Sequence, residues 1–325
     1  MYEFKIFNPL SQIEDELRKV EEIMESRLKR GAGFAREIGM HLLKSRGKRI
    51  RPALILFSTE AAGGDMEEAI SFSAAVELLH TATLIHDDIV DKSPLRRGLP
   101  TINRKWGNDV SVLTGDFLFG EAFLLFVQQR NLSVVGLMAN VVSKMCGAEI
   151  EQMSNLYNTE EKIEDYFGRV EGKTATFFSS CCQVGPIIAG ASNEVTNSLA
   201  SYGLNLGMAF QILDDVFDLI GDENTLGKPV GCDLMEGILT LPVLLLLEKE
   251  EYKDELCKIF SKKSITDSEL TRIKELLYRE SAFDKSFQFA KGFIEKAKSD
   301  LHILPDTRGK SALMKLADYM LERNF

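Results

Sequence analysis

DMEEAISFSAAVELLHTATLIHDDIVD, residues 65–91, begins with a capping pair, Asp65 and Glu68, and continues as a largely apolar helical run to Asp91. Its last turns set Asp87, Asp88 and Asp91 in apolar surroundings, and Arg96 and Arg97 follow closely. An ionised carboxylate buried without a partner costs on the order of several kcal/mol. The stretch therefore predicts a long helix whose acidic end requires cations.

The same signals extend outward. Ser11 with Glu14 predicts a capped helix to about Arg30, and Asn108 is expected to cap another from Asp109 to about Arg130. Helical patterns cover 132–155, 160–190, 193–221, 239–250, 267–280, 283–304 and 310–323. Only 8 prolines interrupt them, and no alternating β-branched run is bounded by turns. The expected class is all-α. No Pro/Ser-rich linker, low-complexity tract or short repeat divides the chain, although DDxxD motifs at Asp87 and Asp214 hint at two similar halves. Both are expected to serve one site, so one large helical domain over 1–325 is preferred.

A chain of 325 residues, 45% hydrophobic, can bury a large core. Its formal net charge of −10 argues against a nucleic-acid surface, which needs a basic field, so any phosphate binding must rest on local clusters. MYEFKIFNPL lacks the basic start and apolar run of a signal peptide. With no run of 18 apolar residues, no membrane span is expected. The five cysteines lack framework spacing, which suits reduced thiols in a cytoplasm. Adjacent Cys181 and Cys182 read as small apolar fillers rather than a redox pair.

Asp87 and Asp91 share a helix face that leads back through Thr83 and His80 to Val76, with Asp88 about 100° around. A second run, QILDDVFDLIGDENTLGK at 211–228, puts Gln211, Asp214, Asp215 and Asp218 at helical spacing. One such motif alone reads as a solvated acidic patch. Two together favour Mg²⁺, a hard cation that prefers carboxylate oxygens and shares its shell with water and phosphates. GDENTLGKP is not a phosphate loop: the glycine spacing is one too long and Pro229 replaces Ser/Thr. KSRGKRIRP at 44–52 is either an anion site at a loop-to-helix boundary or a solvated charge run. Arg96 and Arg97, Lys173 and Thr174 in EGKTATFF, and Lys228 are further phosphate-directed groups. No GxSxG or HExxH motif supports nucleophilic or zinc chemistry, and His86 reads as structural. Together these residues suit a diphosphate with a hydrocarbon tail, whose C–O heterolysis metal ions promote in a dry cavity.

The chain resembles the trans-isoprenyl diphosphate synthases, the head-to-tail polyprenyl synthetase family, and among them the long-chain, octaprenyl-type members. The resemblance rests on GKRIRP (47–52), ELLHTATLIHDDIVD (77–91), RRG (96–98), VLTGDFLF (112–119), GAEIEQ (147–152), GKTATFF (172–178), GMAFQILDDVFD (207–218) and LGKPVGCDLMEGILTLP (226–242). It implies an isoprenoid synthase-type helical bundle around a central cavity, and a homodimer. It assigns Lys48, Arg51, His80 and Arg97 to isopentenyl diphosphate. Asp87, Asp91 and Asp214 would hold Mg²⁺ on an allylic diphosphate, with Asp88, Asp215 and Asp218 contributing. Arg96, Lys173, Thr174, Gln211 and Lys228 would grip that same diphosphate, and released pyrophosphate would take the proton. Rival readings are a short- or medium-chain synthase, a class I terpene cyclase and a non-catalytic partner subunit.

One position departs from the pattern. Where the family's EGKxTLP has lysine, this chain has Ile238, which removes a cation near the allylic phosphates. Ala82 and Thr83 stand where short-chain members often carry an aromatic block. A tunnel is therefore expected to continue past Leu79 and Val76, roughly 16 Å below Asp87 at about 1.5 Å per residue. The implied product is long-chain.

Overall fold

The structure, a computed structural model, describes residues 8–30, 33–44, 47–221 and 230–322. Contacts between Cα atoms divide the chain into two compact units, each discontinuous in sequence. The first comprises 1–139, 180–201 and 300–319; the second comprises 140–179, 202–299 and 320–325.

In the first unit a 3₁₀ turn, Pro9–Ile13, leads into α1 (Glu14–Leu28). Asn8 caps the 3₁₀ turn, its Oδ1 accepting from Leu10 N at 3.1 Å, while Ser11 Oγ donates back to Asn8 O at 2.8 Å; the N-cap position of α1 itself is Ile13, so Ser11 does not cap that helix. Proline just inside the turn moves its start upstream. α2 (Phe34–Leu42) and α3 (Ile50–Ala61) follow. α4 (Met66–Val90) starts at the predicted cap, with Asp65 accepting from Glu67 N at 2.9 Å. Ala74, Ala75, Val76, Leu78, Leu79 and Ala82 lose all solvent exposure on it. α4 packs against α1, α3 and α6 (Asn108–Gln128). The α4–α6 contact needs Gly115, where a Cβ would lie 2.1 Å from His86 Nε2. His86 also reaches Val112 O at 3.2 Å, so its role is the structural one expected.

Asn108 is inside α6 rather than its cap. Gly107, at φ 89°, ends α5 (Ile102–Trp106) and starts α6, a conformation that favours glycine. Between α4 and α5, β1 (Leu95–Arg96) pairs antiparallel with β2 (Leu99–Pro100). The two connecting residues, Arg97 (φ 51°) and Gly98 (φ 74°), are both left-handed, as a tight primed hairpin turn requires. This ladder is the only sheet among the described residues, and the chain is all-α.

Contrary to the sequence reading, three described helices are long and apolar enough to cross a membrane by length and composition: α4, α6 and α7 (Leu132–Ser154). Scattered charges break the uninterrupted run without lowering mean hydropathy enough. Packing buries 67% of the α4 window but only 17% of the α7 window, where Val134, Met138 and Val141 are buried while Leu132, Ile150 and Met153 stay exposed on α7.

In the second unit α8 (Ile163–Val170), a π-turn at Glu171–Ala175 and α9 (Thr176–Ile188) run on without a break. α9 continues into the first unit, where Cys181 and Cys182 are fully buried and burial pushes the Cys181 thiol up to about 12. They are fillers, as expected. α10 (Asn193–Ile220) carries the second acidic motif, and its Gly207 lies against the π-turn, where a Cβ would meet Ala175 Cα at 2.6 Å. α11 (Cys232–Met235) and α12 (Leu241–Leu247) follow. The predicted 239–250 helix stops at Leu247, and α13 (Glu250–Phe260) was not anticipated. α14 (Asp267–Arg279) and α15 (Ala282–Asp300) follow, and α16 (Arg308–Glu322), most of which belongs to the first unit, is the last described helix.

Candidate active site

The C-terminal end of α4 gathers cations. His80 Nε2 accepts from Arg51 Nη1 at 2.9 Å. Burial holds the imidazole well below its ordinary range, and the charges of Arg51, Arg97, Arg96 and Arg49 push it further down. His80 is therefore neutral, a hydrogen-bond partner that adds no charge. Arg49, left-handed at φ 54°, turns inward to Glu77 (2.7 Å) and Glu21 (3.3 Å), so it is neutralised by the scaffold. The hairpin turn lays the Arg97 guanidinium on Gly47, where a Cβ would sit 2.8 Å from Nη1.

The first-motif aspartates have different surroundings. Asp88 is buried and takes Arg96 Nε and Nη2 on one oxygen, each at 2.7 Å. Burial raises its pKa and Arg96 opposes the rise. Its backbone oxygen accepts from Asn103 Nδ2 (2.9 Å) and Ser93 N (3.0 Å), tying the segments on either side of the hairpin to the end of α4. Asp87 and Asp91, on the neighbouring face, are half-buried.

In the second unit Asp214 is exposed while Asp215 and Asp218 are buried. Asp215 accepts from Tyr166 Oη at 2.6 Å and from Gln211 Nε2 at 2.8 Å, and Gln211 Oε1 accepts from Thr174 Oγ1 at 2.7 Å. Burial, then the nearby Asp233 charge, carries the Asp215 carboxyl to about 7 against those donors. Asp218 accepts from Asp233 N (3.3 Å) and, on its backbone oxygen, from Gly231 N (2.7 Å). Lys173, on the π-turn, pairs with Glu149 at 2.7 Å. A cavity of about 80 Å³ opens among Tyr166, Lys173, Gln211, Asp215, Asp233 and Ile238.

Cationic groups beside paired carboxylates, on helices with apolar faces, are the apparatus for a phosphorylated apolar substrate. The sequence profile of the polyprenyl synthetases matches residues 34–277. The chain belongs to the polyprenyl synthetase family. Component 2 of the heptaprenyl diphosphate synthase of Bacillus subtilis is 33% identical over 315 residues, covering 97% of this chain and 90% of that one. The geranylgeranyl diphosphate synthase of Methanosarcina mazei is 36% identical over 290 residues, covering 88% of each. A crystal structure of the polyprenyl synthase of Caulobacter crescentus, complexed with calcium and isoprenyl diphosphate, superposes with a TM-score of 0.92 at 32% identity, covering 97% of both chains. This polyprenyl synthetase is thus a prenyltransferase enzyme.

Within this polyprenyl synthetase, Arg51, His80, Arg96 and Arg97 come together in the first unit. Lys173, Thr174, Gln211 and Asp215 come together in the second. Lys48 is exposed just before α3, and Lys228 lies outside the described residues. Among the described residues no three Asp, Glu, His or Cys side chains form a ready-made metal cage. The donors at Asp87 and Asp91 in the first unit, and at Asp214 in the second, are carboxylate oxygens, the type a hard divalent ion prefers alongside water and phosphate. Of the positions tied to product length, Thr83 is half-buried, with its hydroxyl on His80 O at 2.8 Å. Ala82, Leu79 and Val76 have no exposed surface. The sequence reading missed Glu77, Glu149, Tyr166 and Asp233, whose partners lie far along the chain; Glu77, Glu149 and Asp233 fall inside motifs quoted for the resemblance, and no motif covers Tyr166.

Proposed function

We propose that the enzyme condenses isopentenyl diphosphate head-to-tail with an allylic diphosphate, dependent on Mg²⁺, to give a long-chain all-trans polyprenyl diphosphate. We further propose a cytoplasmic homodimer. The observation that supports this most is the second half of α4, where one helix carries a neutral His80 surrounded by Arg51, Arg96 and Arg97 and, two to three turns further on, Asp87 and Asp91. Lys48, Arg51, His80 and Arg97 bind the isopentenyl diphosphate in this reading, with His80 fixing the Arg51 guanidinium. Arg96, Lys173, Thr174, Gln211 and Lys228 bind the allylic diphosphate. Asp87, Asp91 and Asp214 would hold Mg²⁺, which when bound would supply positive charge against the departing diphosphate. Apolar helix faces keep water from the allylic cation, and released pyrophosphate accepts the proton.

The similar proteins run from geranylgeranyl and heptaprenyl to octaprenyl and decaprenyl diphosphate synthases; what supports the longer products here is the small size of Ala82 and Thr83. For the dimer, α6 exposes Leu113, Phe117, Leu124 and Val127 at heptad-like spacing, an apolar seam suited to a second copy.

The test is incubation of the purified chain alone with Mg²⁺, isopentenyl diphosphate and allylic primers, followed by extraction and mass analysis. Long-chain products that vanish on chelation are expected. Absence of any product would favour the second reading, a subunit needing a different partner, which the name of the Bacillus subtilis relative motivates.

A further inference from the structure

We propose that Glu149 is a positioning residue that occupies Lys173 in place of the allylic diphosphate until that diphosphate arrives. The inference rests on the role proposed above for Lys173.

Glu149 has its two oxygens on different duties. Oε1 accepts from Gln152 Nε2 at 3.1 Å, and Oε2 meets Lys173 Nζ at 2.7 Å. Gln152 is anchored in turn, its Oε1 accepting from Arg169 Nη1 at 3.4 Å. Arg169 is held by Glu161, with its Nη2 at 3.2 and 3.3 Å from the two carboxylate oxygens, and by Leu239 O at 2.9 Å. The chain of contacts fixes Glu149 from the scaffold side and leaves its outer oxygen for the ammonium. That oxygen is an anionic acceptor of the same kind as a phosphate oxygen.

The lysine stem is flexible and a third of its side chain is exposed, so the ammonium can change partner. Glu149 keeps it extended at the cavity that Asp215 and Asp233 also line, while lowering the positive field that an incoming anion meets. A diphosphate must take the ammonium from Glu149, and Glu149 takes it back on release. Removing the carboxylate charge should therefore tighten diphosphate binding, the opposite of what a merely structural contact predicts.

The experiment measures inorganic pyrophosphate as a competitive inhibitor against an allylic primer, with Mg²⁺ and the full-length protein. Glu149→Gln should lower the inhibition constant about tenfold, the scale of one charge-assisted hydrogen bond. Glu149→Ala should shift it the same way, which guards against a packing artefact of the amide. Lys173→Met should raise the constant, and the double variant Glu149→Gln/Lys173→Met should match Lys173→Met alone. If both Glu149 variants leave the constant unchanged or raise it while Lys173→Met raises it, the inference is wrong and the role of Lys173 stands. If Lys173→Met changes nothing, the role of Lys173 fails and the inference with it.

Discussion

At the scale of single residues, burial separates positions that sequence spacing treats alike. Ala82 has no exposed surface, so Ala82→Phe overpacks the core and should cost about 1–3 kcal/mol. Half-buried Thr83 has an open side, so Thr83→Phe should shorten the product while leaving the melting temperature close to wild type. Mass analysis of products beside thermal melts separates the two effects. Asp215 offers a pH signature. Its carboxyl sits near 7 in the fold against an ordinary 3.8, so between those values the folded protein holds a proton that the unfolded chain releases. Stability from this group is present at low pH and lost as pH rises through about 7. In chelator, the wild-type melting temperature should fall more between about pH 5 and pH 8 than that of Asp215→Asn. Ile238 lines the same cavity as Asp215 and Asp233, so Ile238→Lys brings an ammonium to two carboxylates. Turnover equal to or above wild type is expected, and a large loss would show that Ile238 serves only packing.

At the scale of elements, α4 was legible because its cap, its apolar periodicity and its acids are all local. The fork of Arg96 on Asp88 was not, since it depends on a two-residue left-handed turn that nothing in RRG announces beyond its glycine. Tyr166 escaped for a related reason: its partner Asp215 is 49 residues away. α13 could have been found, because Tyr252, Leu256, Ile259 and Phe260 share one buried face, but the charges among them mask the pattern. The α4–α6 contact carries its own prediction. Gly115→Ala forces His86 off Val112 O and should destabilise the fold by about 1–3 kcal/mol, read from chemical denaturation.

At the scale of the whole molecule, the apolar seam on α6 has to be reconciled with a net charge of −10. A large apolar strip left in water invites association. Leu124→Asp should therefore shift the sedimentation behaviour toward monomer, and an unchanged mass would place any dimer contact elsewhere. The sequence made the family and the all-α class legible through motifs spread along nearly its full length. It suggested a long-chain product through Ala82 and Thr83 but not its exact length, because that depends on side-chain burial.

The π-turn at Glu171–Ala175 acts on the molecule as a phase setting. A helix is a screw, and one additional residue in a single turn rotates everything before it by about 100° and slides it by about 1.5 Å relative to everything after. Tyr166 and Arg169 lie on the near side of that dislocation, and the rest of α9 lies beyond it. Deleting Ala175 would leave a continuous helix and a similar core composition, yet it would turn Tyr166 away from Asp215. The chemistry of this chain is thus keyed to a count of residues as well as to their identities.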